Sequence, residues 1–159
     1  AAEAAWGAGA PHTFYCRAQL AAFLRSQPGK TAKGEAVELH EALLAMTEAH
    51  RGPDEQTAEA HYTMARVYME AGRPVDAVIA ANRAVDITSS LVPHRRHQAL
   101  EKPYLLLATA REAAGDYSGA KEAQRVAGSI RKYMITQSAA AASQHHRGGP
   151  MLMRPQRRK

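Results

Sequence analysis

An internal repeat constrains this chain more than any other feature. The segment ARVYMEAGRPVDA at 65–77 returns, 43 residues later, as ATAREAAGDYSGA at 108–120. Ala65, Gly72 and Ala77 fall on Ala108, Gly115 and Ala120, and the register continues through Ala80 and Ala123 to Ala84 and Ala127. Small residues recur where two helices must cross closely, and a glycine recurs between them, where a helix C-cap needs left-handed backbone. Such a chain is built from stacked helical hairpins.

The rest of the sequence agrees with helices. Alanine, the best helix former, is the commonest residue, aromatics make up only 6%, and no run of alternating β-branched and aromatic residues marks a strand. Six helical segments follow. The first starts at Thr13, carries Phe14, Ala18, Ala21, Ala22 and Leu24 at helical spacing, and stops at 26–29 (SQPG). The second spans about 35–49, with Ala36, Leu39, Leu43 and Met46 on one face, and breaks at 51–53 (RGP). Asp54 is placed to cap the third, which closes at Gly72. Pro74 suits the first turn of the fourth, whose apolar positions are Val75, Val78, Ile79, Val85 and Ile87. A polar loop at 89–98 leads to the fifth helix, about 99–114, with Pro103 in its first turn, and the sixth reaches about Gln137. Three domains of behaviour are expected: an irregular arm at 1–12 anchored by Trp6, a helical body at 13–137, and a basic flexible tail at 138–159.

These residues resemble the tetratricopeptide repeat (TPR) family. The small residue midway through that family's first helix maps to Ala65 and Ala108, and its turn glycine to Gly72 and Gly115. Its aromatic three positions after the small residue maps to Tyr68, but to Arg111 in the second copy, a departure. The 43-residue spacing exceeds the usual 34 or so by about two helical turns, and long repeats of this kind look like those of kinesin light chains. A third, degenerate copy falls on helices one and two, with Ala36 near the position of Ala77 and Gly29 displaced from a clean glycine turn. The resemblance covers 30–130 well and 13–29 weakly, and implies an all-α, antiparallel helix-hairpin solenoid with a concave groove lined by first-helix residues. Carried onto this sequence, the groove consists of His61, Tyr62, Arg66, Met69, Tyr104 and Arg111, a set suited to an acidic or extended peptide. The plainer alternative is a six-helix bundle without true repeats.

Charge is distributed unevenly. Up to Glu122, the last acid, 15 acidic residues meet 13 lysines and arginines, a net of −2. Beyond it stand Arg125, Arg131, Lys132, Arg147, Arg154, Arg157, Arg158 and Lys159, with no acid among them. A block of this sort belongs to an interaction tail whose natural partner is a nucleic acid or another acidic surface. Arg147, Arg154, Arg157, Arg158 and Lys159, with Arg95 and Arg96 of the polar loop, are the expected phosphate contacts.

Nothing here points to an enzyme. Phosphate loop, HExxH, CxxC and Gly-x-Ser-x-Gly patterns are all missing. His94 and His97 are spaced for a metal, but Arg95 and Arg96 lie between them and the loop holds no carboxylate. No metal, cofactor or small-molecule substrate is expected. Cys16, the only cysteine, excludes an intramolecular disulfide and fits a reducing compartment, and no apolar run is long enough to span a membrane. The chain begins with Ala1, consistent with a removed targeting peptide or with a chain that simply starts there. The expected function is a non-enzymatic scaffold subunit that contacts neighbouring proteins and rRNA or another structural RNA. A mitochondrial ribosome in the matrix fits the combination, and a cytoplasmic location is the alternative. A peptide-binding adaptor, or a subunit of a protein-only organelle complex, are the competing functions.

Overall fold

A computed structural model describes the backbone of residues 11–27 and 29–147 and the side chains of 16–27 and 29–140. Trp6 and residues 1–10 of the expected arm (1–12) lie outside the described residues, and Pro11 and His12, read as part of that arm, instead begin the first helix, where proline suits the first turn. Six α-helices follow one another: α1 (Pro11–Ser26), α2 (Lys30–Arg51), α3 (Glu55–Glu70), α4 (Pro74–Leu91), α5 (Glu101–Ala113) and α6 (Tyr117–Arg147), with a short 3-10 turn at Gln98–Leu100 before α5. Each helix packs on its neighbours in sequence, and α3 also touches α5. Three hairpins, α1/α2, α3/α4 and α5/α6, are therefore stacked, with α1, α3 and α5 along one side. The fold is an all-α helical-repeat solenoid.

The repeat is visible atom by atom. All eight repeat-related alanines (Ala65, Ala77, Ala80, Ala84 and their counterparts Ala108, Ala120, Ala123, Ala127) are buried. Gly72 and Gly115 end α3 and α5 at φ +74° and +85°, and in each case the residue after the glycine donates its N–H five residues back. Arg73 reaches the Tyr68 carbonyl at 2.9 Å, and Asp116 that of Arg111 at 2.8 Å. Both are Schellman turns, a geometry that glycine adopts without the Cβ clash of other residues. Gly29 stands 43 residues before Gly72, in register after all, but its φ is +129° and it serves as N-cap of α2 instead. The first turn is therefore built differently from the other two, which is why it looks degenerate in sequence.

Capping follows the expected chemistry. The Asp54 carboxylate accepts the Thr57 N–H at 2.8 Å, and the Thr57 hydroxyl donates to the Gly52 carbonyl at 2.6 Å. Pro74 occupies the first turn of α4.

The structure differs from expectation in three further places. α2 starts at Lys30 rather than near Glu35, because Gly34 is carried within the helix instead of ending it. Val75 and Ile79 of α4 are exposed, while Ala77, Ala80, Ala81 and Ala84 fill the interface. Close helix approach selects small side chains for the contact and leaves Val75 and Ile79 outside, while Val85 and Ile87 are buried farther along the helix. α6 continues about ten residues past Gln137, taking up the alanine-rich stretch read as linker, since alanine needs no tertiary contact to favour a helix. Only 148–159 of the expected tail lies beyond the described residues.

Candidate functional site

Helix α3 runs between two clefts. On one side, with α5, it forms a cleft of about 460 Å³ lined by Glu55, Glu59, Tyr62 and Arg66 of α3, Thr88 of α4, and Lys102 and Pro103 of α5. On the other side, with α1 and α2, it forms a larger and more apolar cavity of about 580 Å³, reached by Ala18, His40, Leu43, Leu44 and Met46 and by Gln56, Glu59 and Ala60 of α3. Glu59 borders both, so the two form adjoining seats along one exposed stripe of α3. Position 55 to 59 to 62 to 66 is the helical spacing of a single face. Acids sit toward the start of the stripe and Arg66, with Lys102 across from it, gives the cleft positive charge as well. An extended segment laid here would meet charges of both signs beside an aromatic ring.

The six expected groove residues do not stay together. Tyr62 and Arg66 line the cleft. His61, one residue along, turns inward: it is buried and its Nε2 lies 3.0 Å from the Glu48 carboxylate of α2. Burial holds its pKa below the ordinary value, against the opposing pull of Glu48. Tyr104 occupies the same register as His61 in the next copy, and it packs against the core. Met69, half-buried near the end of α3, does not line the cleft.

Arg111 is committed elsewhere. It donates to the Gly119 carbonyl at 3.1 Å and to Asn82 Oδ1 of α4 at 3.4 Å, with Asp116 3.9 Å away. Its repeat partner Tyr68 does the same task one hairpin earlier, donating its hydroxyl to Glu41 of α2 at 2.8 Å under the Arg73 guanidinium, which lies 4.7 Å from the ring centroid. Burial, then the hydrogen bond to Glu41, pushes the Tyr68 phenol up to about 12. The departure at Arg111 is thus a polar replacement for an aromatic tie between hairpins.

A signal for the outward-facing positions was present in the register. Glu59 and Lys102 stand 43 apart, as do Tyr62 and Leu105, and Leu105 is exposed. The positions that face outward in one copy face outward in the next: Arg66 and exposed Thr109 also share the register, and of these counterparts Lys102 lines the cleft.

The expected phosphate contacts divide as well. Arg95 and Arg96 are exposed on the loop before the 3-10 turn, and the Arg96 guanidinium lies 5.8 Å from the ring centroid of Tyr133 on α6. Arg147 is the last residue of α6, with its side chain outside the described set, and Arg154, Arg157, Arg158 and Lys159 lie wholly outside it. Among the described residues no helix is long and apolar enough to cross a membrane.

Comparison with known proteins bears on the fold alone. No protein-family model matches the chain, and no curated protein matches it. Among solved structures, the crystal structure of BtubC (BKLC) from P. vanneervenii superposes with a TM-score of 0.69 at 16% sequence identity, over 96% of this chain. The match takes in 54% of BtubC, so this chain spans about half the length of that protein. The likeness extends over nearly all of this chain, and what the two share is the stacking of helices.

Proposed function

We propose that this chain is a non-enzymatic scaffold of the tetratricopeptide type, which holds an extended segment of a protein partner across α3. The cleft between α3 and α5 carries this reading: Tyr62 and Arg66 face Lys102 over an open channel, and the apolar cavity adjoins it at Glu59. Recognition of this kind takes its affinity from an apolar anchor and its orientation from charges at either end. The structural likeness to BtubC supports the helical-repeat part, and the resemblance to kinesin light chain repeats supports the choice of partner.

The test is a substitution on the outward face. Full-length chain and a Tyr62→Ala/Arg66→Ala variant are used to recover partners from source-cell extract, and the captured proteins are compared. Both side chains are at least partly exposed, so the variant keeps its fold. A partner retained by the parent and lost by the variant identifies the cleft as the binding element. Equal recovery by both places the binding elsewhere.

A second reading, that the assembly contains RNA and is of the mitochondrial-ribosome kind, is favoured by charge. No acid follows Glu122, and Arg95 and Arg96 project from a loop that is itself free of acids. Co-sedimentation of the full chain with large ribonucleoprotein particles, with and without ribonuclease, tests it. Release by the nuclease supports RNA anchoring, and indifference to it removes this reading while leaving the cleft untouched.

A further inference from the structure

The corner where the loop between α4 and α5 meets α6 has an unusual charge balance. From Ile87 to Leu100 there is no acidic residue, and from Ala123 onward there is none on α6. Glu101, the first residue of α5 beside this loop, is held by Arg131 at 2.6 Å. Arg95 and Arg96 therefore face solvent with no carboxylate partner among the described residues, and Lys132 is exposed on α6.

Aromatic rings sit among these cations. Tyr133 is half-buried, and His94 meets it edge to face with centroids 5.7 Å apart and planes at 73°. His97 follows His94 at 5.7 Å. The Nδ1 of His97 accepts the Ala99 N–H at 3.3 Å, which fixes the start of the 3-10 turn and with it the path of the loop. The rings are thus placed by backbone structure rather than left on a free loop.

We propose that the His94–His97 loop and Tyr133 form a docking surface for single-stranded nucleic acid, with Arg95 and Arg96 neutralising neighbouring phosphates and the Tyr133–His94 pair receiving a base. This inference rests on the RNA reading above and gives it a location within the folded body, apart from the terminal cations. The chemistry distinguishes the ligand class. An acidic peptide would be served by the arginines alone, whereas unpaired bases need a ring to stack on beside the phosphate contacts. A duplex offers no free base, so it would use only the charges.

Binding of a labelled twelve-residue oligouridylate is followed by fluorescence anisotropy across a salt series, with heparin and a duplex of equal length as comparison ligands. Arg95→Ala/Arg96→Ala is expected to weaken oligouridylate about tenfold or more and to reduce the slope of log affinity against log salt by about 1.4, the share of two phosphates on a single strand. Tyr133→Leu is expected to cost about fivefold or more for oligouridylate, the lower end of one stacked base, and to leave heparin unchanged. His94→Ala, on an exposed loop residue, removes the ring that meets Tyr133 edge to face while keeping Tyr133 itself, and should weaken oligouridylate in the same selective way.

Three results overturn the proposal. If the parent chain fails to bind oligouridylate, the RNA reading falls with it. If the parent binds but the arginine pair is dispensable, the terminal cations carry the RNA and only this site is wrong. If Tyr133→Leu and His94→Ala each leave oligouridylate as strong as before, or weaken heparin equally, the surface is a general polyanion contact with no base seat.

Discussion

Single side chains set two properties of this molecule, its response to acid and the sharpness of its turns. His40 and His61 both have pKa values held below the ordinary histidine value, chiefly by burial; nearby Arg25 adds to the effect at His40, and Glu48 opposes it at His61. The Nε2 of His40 finds no hydrogen-bond partner among the described residues. A depressed histidine pKa means that the unfolded chain binds the proton more readily. The folded state is then at full strength above the unfolded value of about 6.5 and loses stability as pH falls through the lower folded values. Thermal melts between pH 7.5 and 5 should show a falling midpoint, and His40→Leu should flatten that fall. Glu70, whose pKa is also lowered, titrates below this window and does not confuse it. An unchanged slope in His40→Leu would remove His40 from the account. The two Schellman glycines make a second residue-scale case. At φ +74° and +85° a Cβ meets no neighbouring atom, so any cost is in the backbone alone. Gly72→Ala and Gly115→Ala should each destabilise by about 1–2 kcal/mol, read from urea midpoints at constant slope.

At the scale of elements, α1 is the least secured helix. Of its described side chains only Ala21 is fully buried, and Leu20 and Phe23 are exposed. Arg17 donates to the Met46 sulfur of α2 at 3.2 Å, and a charged contact with α3 is the two-pronged one of Arg25 with Glu70 at its end, at 2.6 and 2.9 Å. That pair is partly solvated, so a double-mutant cycle should return no more than about 1 kcal/mol. Its effect on order is expected to be local. Arg25→Ala should speed amide exchange across 11–26 while leaving α4 and α5 as protected as in the parent, and a uniform loss would show that α1 is cooperative with the whole. The elements also show what was legible beforehand. The turns at Gly52, Gly72 and Gly115, the cap at Asp54 and the hairpin order could be read because each depends on local backbone chemistry. The reach of α6 and the start of α2 could not, since a glycine or an alanine run is compatible with helix and with loop. Most of the candidate cleft was missed for a different reason. Choosing polar and aromatic residues by type placed His61 and Arg111 in the groove, whereas their shared 43-residue register with Tyr104 and Tyr68 already assigned those positions to contacts between helices.

For the whole molecule, the core is a column rather than a centre. One buried cluster links Val37 of the first hairpin, Met64, Ala65, Val67, Ala80, Ala81 and Val85 of the second, and Leu107, Ala108 and Ala123 of the third. In a stacked array stability is the sum of hairpin terms and the interfaces between neighbours, so an end unit can fray while the middle one cannot be lost alone. The middle hairpin also carries the α3 stripe on which the proposed partner lies, which ties ligand binding to the same interfaces. Met64, among the largest fully buried side chains, is the most informative position because the alanines around it have no volume to spare for refilling a void. Met64→Ala should therefore cost about 2–5 kcal/mol, in one cooperative transition that lowers protection in all three hairpins. Native-state hydrogen exchange decides the matter. If α5 and α6 keep their protection while α3 and α4 lose theirs, the hairpins behave as independent units and the column description fails. If all three fall together, while Arg25→Ala affects only α1, the stack is held from its middle outward.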